Sequence, residues 1–185
     1  MKFNLVHQTL FLIKLFLITS TLFCQTTHNM KYKLDFYTSY NQFYLYDKAS
    51  PGNTDSDNFW TAEAYNDRLA LEEGVLGIGT GCYGHVKGEI DILAKENGVI
   101  DTNQYDHIVE GGLELRSGIL QVLDCPNSEI ELEAKLKPGI YRVRIYSSNL
   151  ISTDIDENEG NDYYKIEIWP DTSMQRKVLK RYVHK

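Results

Sequence analysis

The chain has 185 residues, 42% of them hydrophobic and 12% aromatic, enough to bury one sizeable core, and nothing in its composition requires a second domain. Its formal charge of -7 is unevenly spread: Met30 to Asp171 holds 12 Lys/Arg against 26 Asp/Glu, a balance of -14, while the segment 172–185 carries five cations and no acid. An acidic body repels nucleic acid and anionic lipid, which excludes both as charge-driven partners and leaves basic proteins.

The chain opens with MKFNLVHQTLFLIKLFLITSTLFCQ, in which Lys2 and Lys14 precede an apolar run from Leu15 to Phe23 and a polar exit at Gln25. This pattern predicts a signal peptide over residues 1–24. A second reading is an over-extended start, because Met30 opens MKYKLDFY, which reads as the start of the folded domain. The two differ in localisation, exported (periplasmic or secreted) in the first case and cytoplasmic in the second. The run falls short of the roughly 20 apolar residues a membrane span needs, so no stable span is expected. Bulky Phe23 before Cys24 argues against lipid attachment there.

From residue 30 the dominant period is two. Lys31 to Thr38 and Gln42 to Tyr46 alternate polar with apolar or aromatic residues and read as strands, followed by the turn-rich segment KASPGNTDSDN. Trp60 to Leu71 is the one predicted helix, with Thr61 as cap, Ala62, Tyr65 and Leu69 as its apolar stripe, and Gly74 as its stop. Strands are then predicted at Gly74 to Ile78, Val86 to Ala94, His107 to Leu115, Ile119 to Asp124, Ile130 to Leu136, Ile140 to Ser147 and Tyr163 to Trp169. About nine short strands with one early helix point to an all-β fold, a single β-sandwich-like domain over 30–171 with a basic tail over 172–185. Pro138-Gly139 predicts a type II turn joining Ile130–Leu136 to Ile140–Ser147 as a hairpin. Alternation puts Tyr141, Val143 and Ile145 on one face of that strand and Arg142, Arg144 and Tyr146 on the other.

Motifs for chemistry are weak. GTGCYG (Gly79 to Gly84) satisfies G-x-G-x-x-G, but a strand-like HVKGEIDIL follows where the dinucleotide fingerprint needs a helix, and His85 stands where a P-loop needs Lys. His7, His28, His85, His107 and His184 have no ligand spacing to one another or to cysteine. No G-x-S-x-G elbow is present. Cys82 and Cys125 are either one disulfide in an oxidising compartment or two buried thiols. The reading is a non-enzymatic protein without cofactor or metal.

The richest segment is DIDENEGND, residues 154–162. Asp154, Asp156 and Asn158 occupy the first, third and fifth positions of a calcium loop, but Glu159 replaces the required Gly and Lys165 the bidentate Glu. What remains is a solvated turn or a contact surface for a basic partner, formed by Asp154, Asp156, Glu157, Glu159 and Asp162. The tail from Arg176 to Lys185 reads as a frayed end, a short amphipathic helix, a segment that folds back onto the acidic body, or one that touches anionic lipid.

Two patches of sequence carry a resemblance. Tyr40-Asn41-Gln42-Phe43 with its strand, a Pro/Asp-rich loop, Trp60-Thr61-x-Glu63, a helix ending at Glu73-Gly74 and the strand after it resemble the competence protein J family, inhibitors of a DNA-entry nuclease. Leu136-Lys137-Pro138-Gly139-x-Tyr141 is similar to that family's Leu-Pro-x-Gly-x-Tyr region. The resemblance spans about Tyr32 to Trp169. It implies a small acidic β-rich protein that binds and blocks a nuclease, and it adds Trp60 and Glu63 as candidate contacts, Trp60 reading equally as a core anchor at a helix start. The hydrophobic leader and basic tail depart from the family, the leader putting its intracellular setting in doubt. The expected function is an inhibitor or immunity-type partner of a basic enzyme such as a nuclease; the alternative is an exported β-sandwich module for a small ligand or glycan.

Overall fold

The computed structural model describes residues 29–98, 101–152 and 159–183. The expected leader therefore lies outside the described residues, as do Asp154, Asp156 and Glu157. In chain order the elements are β1 (Met30–Tyr37), β2 (Gln42–Asp47), α1 (Ala62–Asp67), β3 (Leu69–Glu72), β4 (Val75–Gly79), β5 (His85–Ile92), β6 (His107–Leu115), β7 (Ile119–Leu123), β8 (Ile130–Lys135), β9 (Gly139–Ser148), β10 (Tyr163–Pro170) and β11 (Lys177–Lys180). Short 3-10 turns lie at Thr102–Gln104 and Leu150–Ser152. All nine expected strands are present, with β3 and β11 in addition. No described helix is long and apolar enough to cross a membrane.

The strands form two sheets, one in the order β1-β5-β10-β9-β6-β11 and one in the order β3-β4-β2-β7-β8. All neighbours are antiparallel except β5 and β10, which run parallel. The sheets sandwich one core of alternate side chains, among them Leu34, Phe43, Leu76, Ile90, Leu113, Val122, Val143 and Ile166. A smaller cluster of Tyr44, Phe59, Ala64, Ala70, Val75, Leu123 and Cys125 covers the outer face of the five-stranded sheet.

The predicted helix is cut short. Thr61 caps it as expected, its Oγ1 accepting from Ala64 N at 3.2 Å. It ends after Asp67, where Arg68 takes a left-handed conformation with φ 53°. The next residues show why. Leu69 enters the core between the sheets and adjacent Ala70 enters the outer cluster, both 0% exposed. Burial of neighbours on opposite faces has the period of a strand, not of a helix. Gly74, with φ +67°, is the turn of the β3–β4 hairpin rather than a helix stop. The expected apolar stripe also fails at Tyr65, which is 64% exposed.

The predicted β8–β9 hairpin does not form. β8 pairs with β7, while β9 lies between β6 and β10, so Lys137-Pro138 carries the chain from one sheet to the other. The alternation within β9 is as expected: Tyr141, Val143 and Ile145 face the core, and Arg142 and Arg144 face outward yet are only 4% and 2% exposed. Two buried arginines need carboxylates on both sides. β6 and β10 supply them, since Glu110 and Glu167 both stand opposite Arg144 in register. Glu110 Oε1 accepts from Arg144 Nε at 2.6 Å and its Oε2 from Arg142 Nε at 3.2 Å. Arg144 also lies 4.8 Å over the Trp169 ring.

Candidate functional site

One end of the sandwich gathers the β1–β2 turn, the loop before β5, the turn at Leu150 and the start of β10. Buried Asp162, 1% exposed, ties them together. Its Oδ2 accepts from Gly81 N at 3.0 Å, Cys82 N at 3.1 Å and the Tyr164 hydroxyl at 2.5 Å. The backbone donors of GTGCYG thus hold an internal carboxylate. Burial first, and the Asp162 charge second, push both the Tyr164 hydroxyl and the Cys82 thiol above their ordinary values. Such a thiol is a poor nucleophile. Cys82 and Cys125 are free and buried. Thr80 N donates to Asn41 O at 2.7 Å, and Asn41 Nδ2 to Gly81 O at 3.4 Å, which locks the β1–β2 turn onto the same frame.

Glu159 lies on the outer surface of this end. It accepts from the Tyr37 hydroxyl and faces His85 Nδ1 at 3.0 Å and Lys87 Nζ at 3.5 Å. The Tyr37 hydrogen bond, then that of His85, hold its carboxyl down at about 2. His85 Nε2 lies 2.9 Å from Asp35 Oδ1, so the ring sits between two carboxylates. Tyr37 stacks on His85 with centroids 4.6 Å apart. Tyr37, Tyr40 and Ile151 remain 58%, 61% and 72% exposed around this frame.

Trp60 and Glu63 lie elsewhere. Trp60 packs beside Phe59 and Tyr65 over the outer cluster, with centroids 5.7 and 5.1 Å away. Exposed Glu63 pairs with Arg176 Nη2 at 3.0 Å, next to β11. Since β1 and β11 are opposite edges of the six-stranded sheet, Glu63 and Glu159 do not share a site. Among the described residues of the expected contact set, Glu159 and Asp162 lie at the same end of the sandwich, one on the surface and the other beneath it, while Trp60 and Glu63 lie apart from them.

The tail folds back onto the acidic body, one of the four readings of its sequence. β11 pairs with β6, and Val178 packs against the core. Asp67 receives Arg176 Nε at 2.7 Å and Arg181 Nη2 at 2.5 Å. Buried His107 donates from Nε2 to Asp67 O at 2.9 Å and accepts Tyr182 N at Nδ1 at 3.2 Å. That pair of bonds assigns a neutral tautomer, and burial holds the ring's affinity for a second proton below the usual histidine value. Sequence reasoning missed Tyr37, His85, Asp35 and His107, because period-two alternation puts each on a strand face without saying which strand lies opposite.

No protein-family model matches the chain, and none of the curated proteins matches it in sequence. Solved structures do. The fold is similar to that of ComJ, inhibitor of the DNA degrading activity of NucA, from Bacillus subtilis, at TM-score 0.58 and 17% identity over 78% of this chain and 99% of ComJ. A protein described as crocagin biosynthetic gene J aligns over the same shares at TM-score 0.49 and 16% identity. The architecture of this chain is therefore ComJ-like: an all-β sandwich whose likeness runs over nearly the whole of ComJ.

Proposed function

We propose that the chain is a non-enzymatic acidic binding protein that inhibits a basic enzyme, most simply a nuclease. The observation that carries this reading is the ComJ-like fold, since ComJ inhibits a DNA-degrading activity, joined to the balance of -14 over Met30 to Asp171. A nuclease must present cations where DNA phosphates lie. Carboxylates placed there exclude substrate with no chemistry of their own and steer association. The contact surface is assigned to the sandwich end that bears Glu159, with Asp154, Asp156 and Glu157 close before it in sequence.

The test is a titration against the DNA-degrading activity in an extract of the producing cell. Activity should fall stoichiometrically as protein is added. The variant Asp154→Asn, Asp156→Asn, Glu157→Gln, Glu159→Gln should inhibit at least tenfold more weakly while melting as the wild type does. Full nuclease activity at saturating protein would remove the reading.

A further inference from the structure

Deepening the inhibitor reading, on which it rests, we propose that Tyr40 with Tyr83 anchors the interface and stacks on an arginine of the basic partner. The β1–β2 turn has two residues, since Ser39 bridges to Gln42. Both are left-handed, Tyr40 at φ 59° and Asn41 at φ 54°. Such turns favour Asn or Gly, and a bulky side chain in this conformation is disfavoured. Burial does not compensate Tyr40, which is 61% exposed and has one ring neighbour among the described residues, Tyr83 at 5.9 Å edge-on. Folding alone gives no reason for a tyrosine here. Strain of this kind collects at functional positions.

The knob is also held ready. Its turn is bound to Thr80 and Gly81, and Gly81 is bound in turn to buried Asp162. A rigid aromatic loses little entropy on binding, and tyrosines are enriched among interface anchors. Exposed Tyr37 stands at the end of β1, three residues before Tyr40, and donates to Glu159, which supplies a carboxylate at the same end. Arginine fits this combination best, because its flat guanidinium stacks on aromatic faces and pairs with carboxylates at once, whereas a lysine ammonium is more strongly hydrated. The charge rules out anionic lipid and nucleic acid as occupants.

The test titrates labelled octa-arginine into the full chain at low ionic strength, with octa-lysine and octa-glutamate as controls, reading fluorescence anisotropy. Octa-arginine should bind at least threefold more tightly than octa-lysine, and octa-glutamate should not bind. Tyr40→Asn suits a left-handed turn, so its melting temperature should equal or exceed that of the wild type while octa-arginine affinity falls at least fivefold. Tyr40→Phe should retain affinity, and so should Tyr65→Asn, which removes an equally exposed ring at α1. Unchanged affinity in folded Tyr40→Asn, equal affinity for the two cationic peptides, or no binding to the wild type would each overturn the anchor. The nuclease titration decides the wider inhibitor reading separately, since a chain that inhibits but is indifferent to Tyr40→Asn keeps its function and loses this anchor.

Discussion

Asp162 illustrates how one residue's role depends on what lies opposite it. In sequence it closes an acidic run and reads as a surface carboxylate; in the fold it is 1% exposed and serves two amides and a hydroxyl. Asp162→Ala would leave Cys82 N–H and the Tyr164 hydroxyl buried without an acceptor, while Gly81 N–H keeps the Tyr164 hydroxyl oxygen at 2.6 Å. At about 1–3 kcal/mol for each unsatisfied group, the variant should lose roughly 2 kcal/mol or more. Asp162→Asn keeps one acceptor oxygen and should lose about 1 kcal/mol. Denaturant midpoints measure both, and an Ala variant within about 0.5 kcal/mol of wild type would refute this role. The sequence could not separate Asp162 from Glu159 because both follow the same polar stretch, and only the position of the Gly81–Cys82 amides tells them apart.

At the scale of elements, strand positions were legible because alternation persists through them, whereas their connections were not. Ala62, Tyr65 and Leu69 have helical spacing, yet the consecutive burial of Leu69 and Ala70 starts a strand. Pro138-Gly139 has turn chemistry and β8 carries Glu131 and Glu133, yet β9 lies between β6 and β10, whose Glu110 and Glu167 stand on both sides of Arg144, a pairing that a local turn signal does not encode. The tail was legible only as charge. It becomes a strand because β6 has a free edge and Asp67 binds two of its arginines.

Two predictions follow for this tail. Replacing Arg176 and Arg181 together by Ala leaves Asp67, 5% exposed, without a cation, and should cost about 2–4 kcal/mol, discounted because Arg181 is half exposed. Hydrogen exchange along His107 to Glu110 should accelerate in the same variant, and unchanged protection would show that β11 is not held by this clasp. The second prediction concerns pH. His107 is neutral in the fold with its proton affinity lowered by burial, so the unfolded chain binds the proton more readily. Stability from this group is complete above about pH 6.5, the unperturbed histidine value, and declines as pH falls through the lower folded value. Melting temperatures between pH 7 and 5 should fall more steeply for the wild type than for His107→Gln; parallel slopes would contradict the assignment.

For the whole molecule, the sandwich fixes which charges can act together. Its six-stranded sheet sets Glu63 and the basic tail at one edge and Glu159 with the tyrosine end at the other. The fold class was readable from nine alternating segments, and the charge balance from counting. The site was only half readable, because grouping Tyr37, Tyr40, Tyr83 and Glu159 requires knowing that β1, β5 and β10 are adjacent, a long-range pairing that local pattern does not encode. The failed calcium pattern leads to a further expectation, that melting temperatures with calcium and with chelator coincide; a calcium-dependent rise would favour the glycan-module alternative.

The central claim is that acidic steering delivers the chain to a basic enzyme. Its most direct test is the stopped-flow association rate with the inhibited nuclease across ionic strength, for the wild type and for the variant Asp154→Asn, Asp156→Asn, Glu157→Gln, Glu159→Gln. The account predicts a wild-type rate that falls steeply as salt shortens the screening length to about 8 Å near physiological strength, and a variant rate that is slower and flatter, with dissociation little changed. Equal rates and equal salt dependence for the two proteins would contradict it.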